Sequence, residues 1–411
     1  MAIKKILFIS YDGMTDPLGQ SQVIPYLAGL SKYGYEFTIL SCDKPERYLA
    51  NKEYVQNLIV AYPIKWVSIP YHKNPPIFSS IYDLMQLKRK VAELYRQEKF
   101  DMVHTRAGLP VLVALWLKKK YNIKFLNDIR GFWADERVDG GIWKLKNPLY
   151  NLIYKFFKKK EAEALEVADY NICLTYAGVK EINSWTNITH QPLSIELIPC
   201  SVDMQLFDPE KIDSVLKNEF KKELHIADDD FIISYLGSIG GWYLTNEMMR
   251  FCKVVSDKMP KTKFLFISPD PGNTIINAAK AFGLNADKII IKQGKRPQVP
   301  VLLSFSNYSL FFIKPCYSKK ASSPTKHGEI MAMGIPVITN AGIGDVEEIV
   351  TKYNAGYVLH DFSTASFITT ADKIMTGDHF NKEEIRKGAT AYYALETAVA
   401  KYKKVYDLIN Q

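Results

Sequence analysis

Short apolar runs bounded by glycine, proline and polar clusters alternate along this chain with longer stretches whose apolar positions recur at helical spacing. Lys4 to Ser10 reads as a strand, Tyr11 to Gln20 as a loop bearing Gly13 and Gly19, Gln22 to Lys32 as a helix and Phe37 to Ser41 as the next strand. That succession is a βαβ unit, which implies a parallel sheet with ligands at the carboxyl ends of its strands. The alternation continues through helix Ser79 to Gln97, strand Phe100 to Thr105, helix Pro110 to Lys119, strand Lys124 to Asp128, helix Asn147 to Val167, strand Tyr170 to Leu174 and helix Tyr176 to Trp185. Ile198 to Asp203 then reads as a short strand entering a proline-bearing turn, a composition that suits a linker. The pattern restarts with strand Phe231 to Leu236, helix Asn246 to Ser256, strand Lys263 to Ser268, helix Thr274 to Phe282 and strands Lys288 to Lys292 and Ser309 to Ile313. Segments Asp345 to Tyr353, Gly356 to Leu359 and Ala365 to Met375 follow, and Leu395 to Ile409 is a last helix. Two α/β domains are expected, residues 1–200 and 201–394.

Candidate chemistry concentrates in Ser322 to Asn340, read as a loop, a short helix and a buried strand. Thr325 is placed to cap the helix, Lys326 opens it, and Gly334 with Pro336 ends it before the apolar run Pro336 to Asn340. A helix N-terminus with its free N–H groups suits a phosphate, and Lys326 adds a full charge. Glu329 lies one turn deeper, where its two oxygens suit vicinal hydroxyls such as those of a ribose. Together these residues point to a nucleoside diphosphate. A second phosphate cradle is Gly237-Ser238-Ile239-Gly240-Gly241-Trp242-Tyr243, a glycine-rich turn between a strand and a helix. By contrast Asp12 to Gly19 lacks the Gly-x-Gly-x-x-Gly of dinucleotide enzymes, which disfavours a dehydrogenase.

Pro324-Thr325-Lys326-x-x-Glu329 followed by Met331-Ala332-x-Gly334-x-Pro336-Val337 resembles the donor-nucleotide motif of the retaining family-4 glycosyltransferases of the GT-B fold. The usual family form has two glutamates separated by seven residues; here the first position is Ala321, as in the bacterial subgroup carrying Ser/Thr-Lys-x-x-Glu. Asp128-Ile129-Arg130-Gly131-Phe132-Trp133-Ala134-Asp135-Glu136 resembles the Arg-Asp-x-Trp-Pro-Glu segment of family-4 amino-sugar transferases, with Arg130, Trp133 and Glu136 carried over. The family Gly-Arg and following Lys are absent from the Gly237 turn.

The resemblance implies two Rossmann-like domains facing across a cleft, a nucleoside-diphosphate sugar held by the second and an acceptor by the first. Residues 395–411 would cross back to the first domain. Lys326 would stabilise the leaving diphosphate, helped by Arg296 or Lys314, with Thr325, Ser238 and Gly240 lining the donor and Gly294 offering backbone to the base. Gly19 would let backbone approach the donor phosphates, and His104, Arg130 and Glu136 would face the sugar and acceptor. No cofactor, metal or side-chain nucleophile is required if the departing phosphate oxygen takes the acceptor proton. UDP is the favoured nucleotide, and a saccharide or polyprenyl-linked saccharide the favoured acceptor. Two rivals stay open: an epimerase or hydrolase of nucleotide-sugars, and a non-catalytic scaffold for another transferase.

Composition narrows the setting. At 411 residues, 47% hydrophobic and 24% charged, the chain exceeds one ordinary core. Its five cysteines stand far apart, with neither a zinc spacing nor a disulfide framework, so a reducing, cytoplasmic location is expected. Residues 1–200 hold 27 Lys and Arg against 20 Asp and Glu, whereas the remaining 26 basic and 24 acidic residues nearly balance. No motif directs that basic excess to nucleic acid. In Trp143 to Lys160, Leu149, Leu152, Ile153, Phe156 and Phe157 form one apolar helical face beside six lysines. Phe156, Phe157, Lys158, Lys159 and Lys160 are therefore expected to meet an anionic membrane, the other use of such a face being packing on the sheet.

Overall fold

The computed structural model describes residues 4–377 and 380–411, which form two compact units. Among the described residues, unit 1 comprises 4–200, 320–322 and 395–411, and unit 2 comprises 201–319, 323–377 and 380–394.

In unit 1 the chain runs β1 (Lys4–Ser10), α1 (Pro17–Gln22), α2 (Ile24–Ser31), β2 (Tyr35–Asp43), α3 (Pro45–Ile59), β3 (Ile64–Pro70), α4 (Phe78–Gln97), β4 (Met102–Arg106) and α5 (Leu109–Tyr121). It continues through β5 (Lys124–Ile129), α6 (Trp133–Asp139), α7 (Pro148–Val167), β6 (Tyr170–Cys173), α8 (Tyr176–Asn183) and β7 (Ile195–Leu197). The strand order is β3-β2-β1-β4-β5-β6-β7 and every pairing is parallel. The order reverses between β1 and β4, which makes their carboxyl ends the ligand-binding position of such a sheet.

Unit 2 holds α9 (Ser214–Glu223), β8 (Phe231–Leu236), α10 (Thr245–Lys258), β9 (Thr262–Ile267), α11 (Gly272–Ala281), β10 (Ile289–Lys292), α12 (Val299–Leu303) and β11 (Tyr308–Leu310). It is completed by α13 (Thr325–Ala332), β12 (Val337–Asn340), α14 (Val346–Lys352), β13 (Gly356–Leu359), α15 (Thr364–Thr376) and α16 (Lys382–Tyr393). Its order, β10-β9-β8-β11-β12-β13, is again parallel throughout and reverses between β8 and β11. The two sheets are Rossmann-like, one in each unit.

The first helix departs from its sequence reading. Gln22 to Lys32 is not one helix: α1 starts at Pro17 inside the expected loop, and the chain breaks at Val23 before α2. Pro25, near the start of α2, lacks the N–H that a continuous helix would use. Gly19 lies within α1, and a Cβ there would come within 2.5 Å of Gly13 O and Met14 Cα. The glycine therefore serves close packing inside its own loop.

The last helix, α17 (Leu395–Ile409), belongs to unit 1. Ala398, Val399, Tyr402, Val405, Tyr406 and Ile409 join the apolar cluster beneath α2 and β1. Its two tyrosines also reach buried polar groups. Tyr402 donates to Asp128 Oδ2 at 2.8 Å, and the Tyr406 hydroxyl is 2.8 Å from His104 Nδ1. His104 Nε2 stands 3.5 Å from the same Asp128 oxygen. Burial lowers the His104 pKa despite that carboxylate. Burial also acts to raise the Asp128 pKa, but Arg130 and His104 hold it below the ordinary value.

The sign of the pH effect follows. An unfolded chain protonates His104 near its ordinary pKa of about 6.5, whereas the folded chain resists, so stability falls as pH drops through that value. Asp128 adds a second loss only below about pH 4. Hydrogen exchange, corrected for intrinsic rates, should show residues 395–409 losing protection between about pH 7 and pH 5, with His104→Gln flattening the change.

Candidate functional site

The site of unit 2 starts where β8 ends. Gly237, Gly240 and Gly241 have φ of 109°, 74° and 60°, conformations that side-chain-bearing residues rarely adopt. They turn the chain sharply into α10. Leu244 N donates to Phe312 O at 3.0 Å and Lys314 N to Trp242 O at 2.9 Å, fixing Trp242 and Tyr243 against the segment after β11. Ser238 is exposed, and its carbonyl accepts from the Tyr235 hydroxyl.

α13 points its first turn at this loop. Pro324, not Thr325, is the N-cap, and no side chain caps the helix; Thr325 is the first helical residue. Proline has a missing donor and a fixed φ, both compatible with this position, and the leading N–H groups have no side-chain acceptor. Lys326 and Glu329 are buried. The Lys326 ammonium makes no hydrogen bond and lies 3.7 Å from the ring centroid of Tyr243 and 4.3 Å from that of Tyr235. A Cβ on Gly237 would stand 3.1 Å from Lys326 Nζ, so the glycine also keeps the approach open. Burial pushes the Lys326 pKa down to about 7, with Glu329 opposing the shift.

The sequence reading missed Lys319. It is buried, with its ammonium 3.8 Å from the ring centroid of Trp242, and its carbonyl accepts from Gly344 N at 2.8 Å. Two lysines thus stand against adjacent aromatic residues of one glycine-rich turn. The signal lay in Trp242-Tyr243 itself, because aromatic ring faces attract cations.

Arg296 occupies a different position from the one expected. Its guanidinium pairs with Glu329 Oε1 and lies 4.7 Å from the Phe207 ring centroid, so it neutralises the carboxylate instead of joining Lys326 on a phosphate. Lys314 is exposed. At Gly294 a Cβ would come 2.9 Å from Leu302 Cδ1, which accounts for the glycine by packing alone. Behind α13, His327 Nδ1 is 2.9 Å from the Tyr393 hydroxyl, and burial lowers the His327 pKa to about 3. The ring is neutral under ordinary conditions and anchors the helix.

Unit 1 places its expected residues apart from open surface. His104 is 2% exposed and turned toward α17, so it offers no face to an acceptor hydroxyl. Arg130 is also largely covered: it donates to Gln22 Oε1 and to Cys200 Sγ, both at 3.3 Å, with Asp128 at 3.8 Å. Both residues organise the carboxyl ends of β4 and β5. Glu136 lies in the first turn of α6, with Oε1 3.3 Å from where a Cβ on Gly131 would stand. Ala321, where the family pattern has an acid, is fully buried in the apolar cluster of Phe132, Cys173 and Ile182. A glutamate there would leave an unpaired charge in an apolar setting.

The expected membrane face also changes. Phe157 packs on Trp133 and Trp143, while Lys158 bonds Asp135 and Glu161 and lies over the Trp185 ring. Lys160 pairs with Glu163. Phe156 and Lys159 remain exposed. Among the described residues, no helix is long and apolar enough to cross a membrane, and no group of three or more His, Cys, Asp or Glu could hold a metal ion.

Two Rossmann-like units, one bearing a buried lysine and a glutamate at a helix start beside a glycine turn, define a GT-B glycosyltransferase. The chain belongs to the family-4 glycosyltransferases: residues 20–206 match the profile described as Glycosyltransferase Family 4, and residues 217–391 match Glycosyl transferases group 1. No curated protein sequence matches the chain. Among solved structures, sucrose-phosphate synthase from Thermosynechococcus elongatus is similar at TM-score 0.73 and 14% identity, over 98% of each chain. WaaG, a glycosyltransferase involved in lipopolysaccharide biosynthesis, gives 0.69 and 13% over 97% of this chain and 99% of its own. HepE from Anabaena, in complex with UDP and glucose, gives 0.68 and 10% over 98% and 99%. At these identities the likeness shows the fold.

Between about pH 7 and pH 10 an unfolded chain keeps this lysine protonated while the folded site releases the proton, so stability rises with pH across that window. Thermal unfolding of the wild type should show that rise, and Lys326→Met should lose it. An anion at the site reverses the shift. Calorimetry with UDP at about pH 8, in buffers of different ionisation enthalpy, should report uptake of close to one proton in the wild type and none in Lys326→Met.

Proposed function

We propose that this chain transfers a sugar from UDP-sugar to a hydroxyl of a saccharide or lipid-linked saccharide, with retention at the anomeric carbon. The observation carrying the proposal is Lys326, a buried ammonium with no hydrogen bond, held beside a glycine turn and near an uncapped helix start. A desolvated cation beside a helix start that no side chain caps is complementary to a diphosphate, and increasingly so as that diphosphate leaves. Choice of the uridine nucleotide is supported by HepE, whose structures hold UDP and UDP-glucose.

In this reading the bond between the anomeric carbon and the diphosphate oxygen breaks, and a bond from that carbon to the acceptor oxygen forms. The acceptor proton passes to the departing phosphate oxygen on the same face. Lys326 and Lys319 stabilise the growing diphosphate charge, which removes the need for a metal. Glu329, oriented by Arg296, receives the ribose hydroxyls. Unit 1 supplies the acceptor subsite, with Glu136 at its α6 rim and His104 and Arg130 as positioning residues behind it. The reaction belongs to polysaccharide or glycan assembly on the cytoplasmic side.

Calorimetric titration with UDP, GDP, dTDP, CMP and ADP tests the donor reading. UDP should bind best. Lys326→Ala should weaken it by about 2 kcal/mol and lower turnover further, because the contact strengthens in the transition state. Glu329→Ala should weaken nucleoside binding to a similar extent with a smaller further loss of rate. Transfer should persist in excess EDTA, and nuclear magnetic resonance of the product should show the donor's anomeric configuration. Unchanged affinity in both variants would place the donor elsewhere, and release of free sugar without an acceptor would favour a hydrolase or epimerase.

A further inference from the structure

Helices α4, α5 and α7 cover one face of the unit 1 sheet. Leu87, Val91 and Leu94 of α4, Val113, Ala114 and Leu117 of α5 and Ala164 of α7 share one buried apolar cluster. The opposite side of α4 is not polar, as the outer side of a covering helix ordinarily is. Phe78, Ile81, Tyr82 and Met85 are 72, 50, 45 and 57% exposed there, at i, i+3, i+4 and i+7. At about 100° per residue this stripe faces directly away from Leu87 and Val91. α7 repeats the arrangement with Leu149, Leu152 and Phe156, all exposed, and Ile142 and Leu145 precede it. Both stripes occupy the first halves of helices that leave the carboxyl edge of the sheet, so they lie in one layer and toward one end of it.

The charges beside the stripes are predominantly basic; Glu93, further along the α4 face, pairs with Lys90, and Glu163, further along that of α7, pairs with Lys160. Lys73 and Arg89 are exposed next to the α4 stripe, as are Lys144, Lys146, Lys155 and Lys159 beside that of α7. No acid occurs from Gly140 to Lys160. Asp83, the acid in the first half of α4, lies on the buried side of the helix and is bound to Tyr11 and His72. An apolar surface of this kind marks an interaction site.

We propose that the outer face of α4 and α7 docks on an anionic lipid bilayer, with Phe78, Ile81, Met85, Leu149, Leu152 and Phe156 entering the interface. The basic residues fit lipid phosphates, and aromatic plus basic side chains are what an interfacial surface requires. A second copy is a poorer occupant, because a two-fold contact would bring two lysine-rich rims together. Docking rests on unit 1 alone and does not depend on the donor assignment. It deepens the acceptor reading, since the carboxyl edge of the sheet then lies beside a membrane that can present a lipid-linked saccharide.

Vesicle flotation tests the surface. Wild type should float with phosphatidylglycerol-containing vesicles at about 0.05 M salt, detach at about 0.5 M, and stay unbound to pure phosphatidylcholine. Ile81→Glu/Met85→Glu and Lys155→Glu/Lys159→Glu should each lower recovery about tenfold while keeping the wild-type melting temperature and UDP affinity. Equal recovery on both vesicle types, recovery on neither, or variants that float like the wild type would overturn the proposal. So would a lipid-free dimer, seen by light scattering, that Ile81→Glu/Met85→Glu dissociates. Because flotation is read without nucleotide, its failure is distinguishable from a failure to bind UDP.

Discussion

A lysine ammonium buried without a hydrogen bond is an unfavourable object, and the architecture around Lys326 consists largely of what makes it tolerable. Tyr235 and Tyr243 present ring faces to it, which replaces part of the lost hydration. Holding Tyr243 there requires the sharp turn at Gly237, Gly240 and Gly241 and the backbone bonds to Phe312 and Lys314. Holding the lysine requires α13 at a fixed height, and His327 against Tyr393 fixes it from behind. Glycines, aromatics and a neutral histidine thus serve one arrangement, in which a dry amine is held where an arriving anion draws a proton onto it and meets the resulting charge unscreened by water.

The alternation of elements was readable because parallel strands are short apolar runs and their crossovers are amphipathic. Lys4–Ser10 and Phe231–Leu236 coincide with β1 and β8. The linker reading falls where the chain passes from Cys200 in unit 1 to Ser201 in unit 2. Other elements gave weaker signals. β3 is a half-exposed edge strand containing Lys65 and Ser68, and α3 is mostly polar, so neither carries a clear period. Thr325 looked like a cap because threonine prefers that position, yet Pro324 precedes it and took the role.

At the candidate site, the sequence supplied residue types but not directions. Lys326 and Glu329 could be placed on a helix start from spacing alone. That Arg296 meets Glu329, and that Lys319 turns back onto Trp242, depends on loop paths that no periodicity encodes. The apolar face of α7 shows the same limit. Its residues were recognisable, but Phe156 points out and Phe157 points in, a difference of one position that packing on Trp133 and Trp143 decides. His104 was attractive because it ends a strand, and its burial comes from a helix nearly three hundred residues later.

That long separation governs the order in which the protein can be made. Unit 1 begins at the N-terminus but includes α17, whose apolar face completes the cluster beneath β1 and α2. A ribosome releases residues 201–394 before it releases α17, so unit 2 has nearly all of its core while the older unit still lacks part of its own. During synthesis the first half of the chain therefore waits with Tyr26, Leu27 and Asp128 uncovered until α17 emerges and closes it. A nascent chain truncated before residue 395 should engage chaperones through its beginning, not its end.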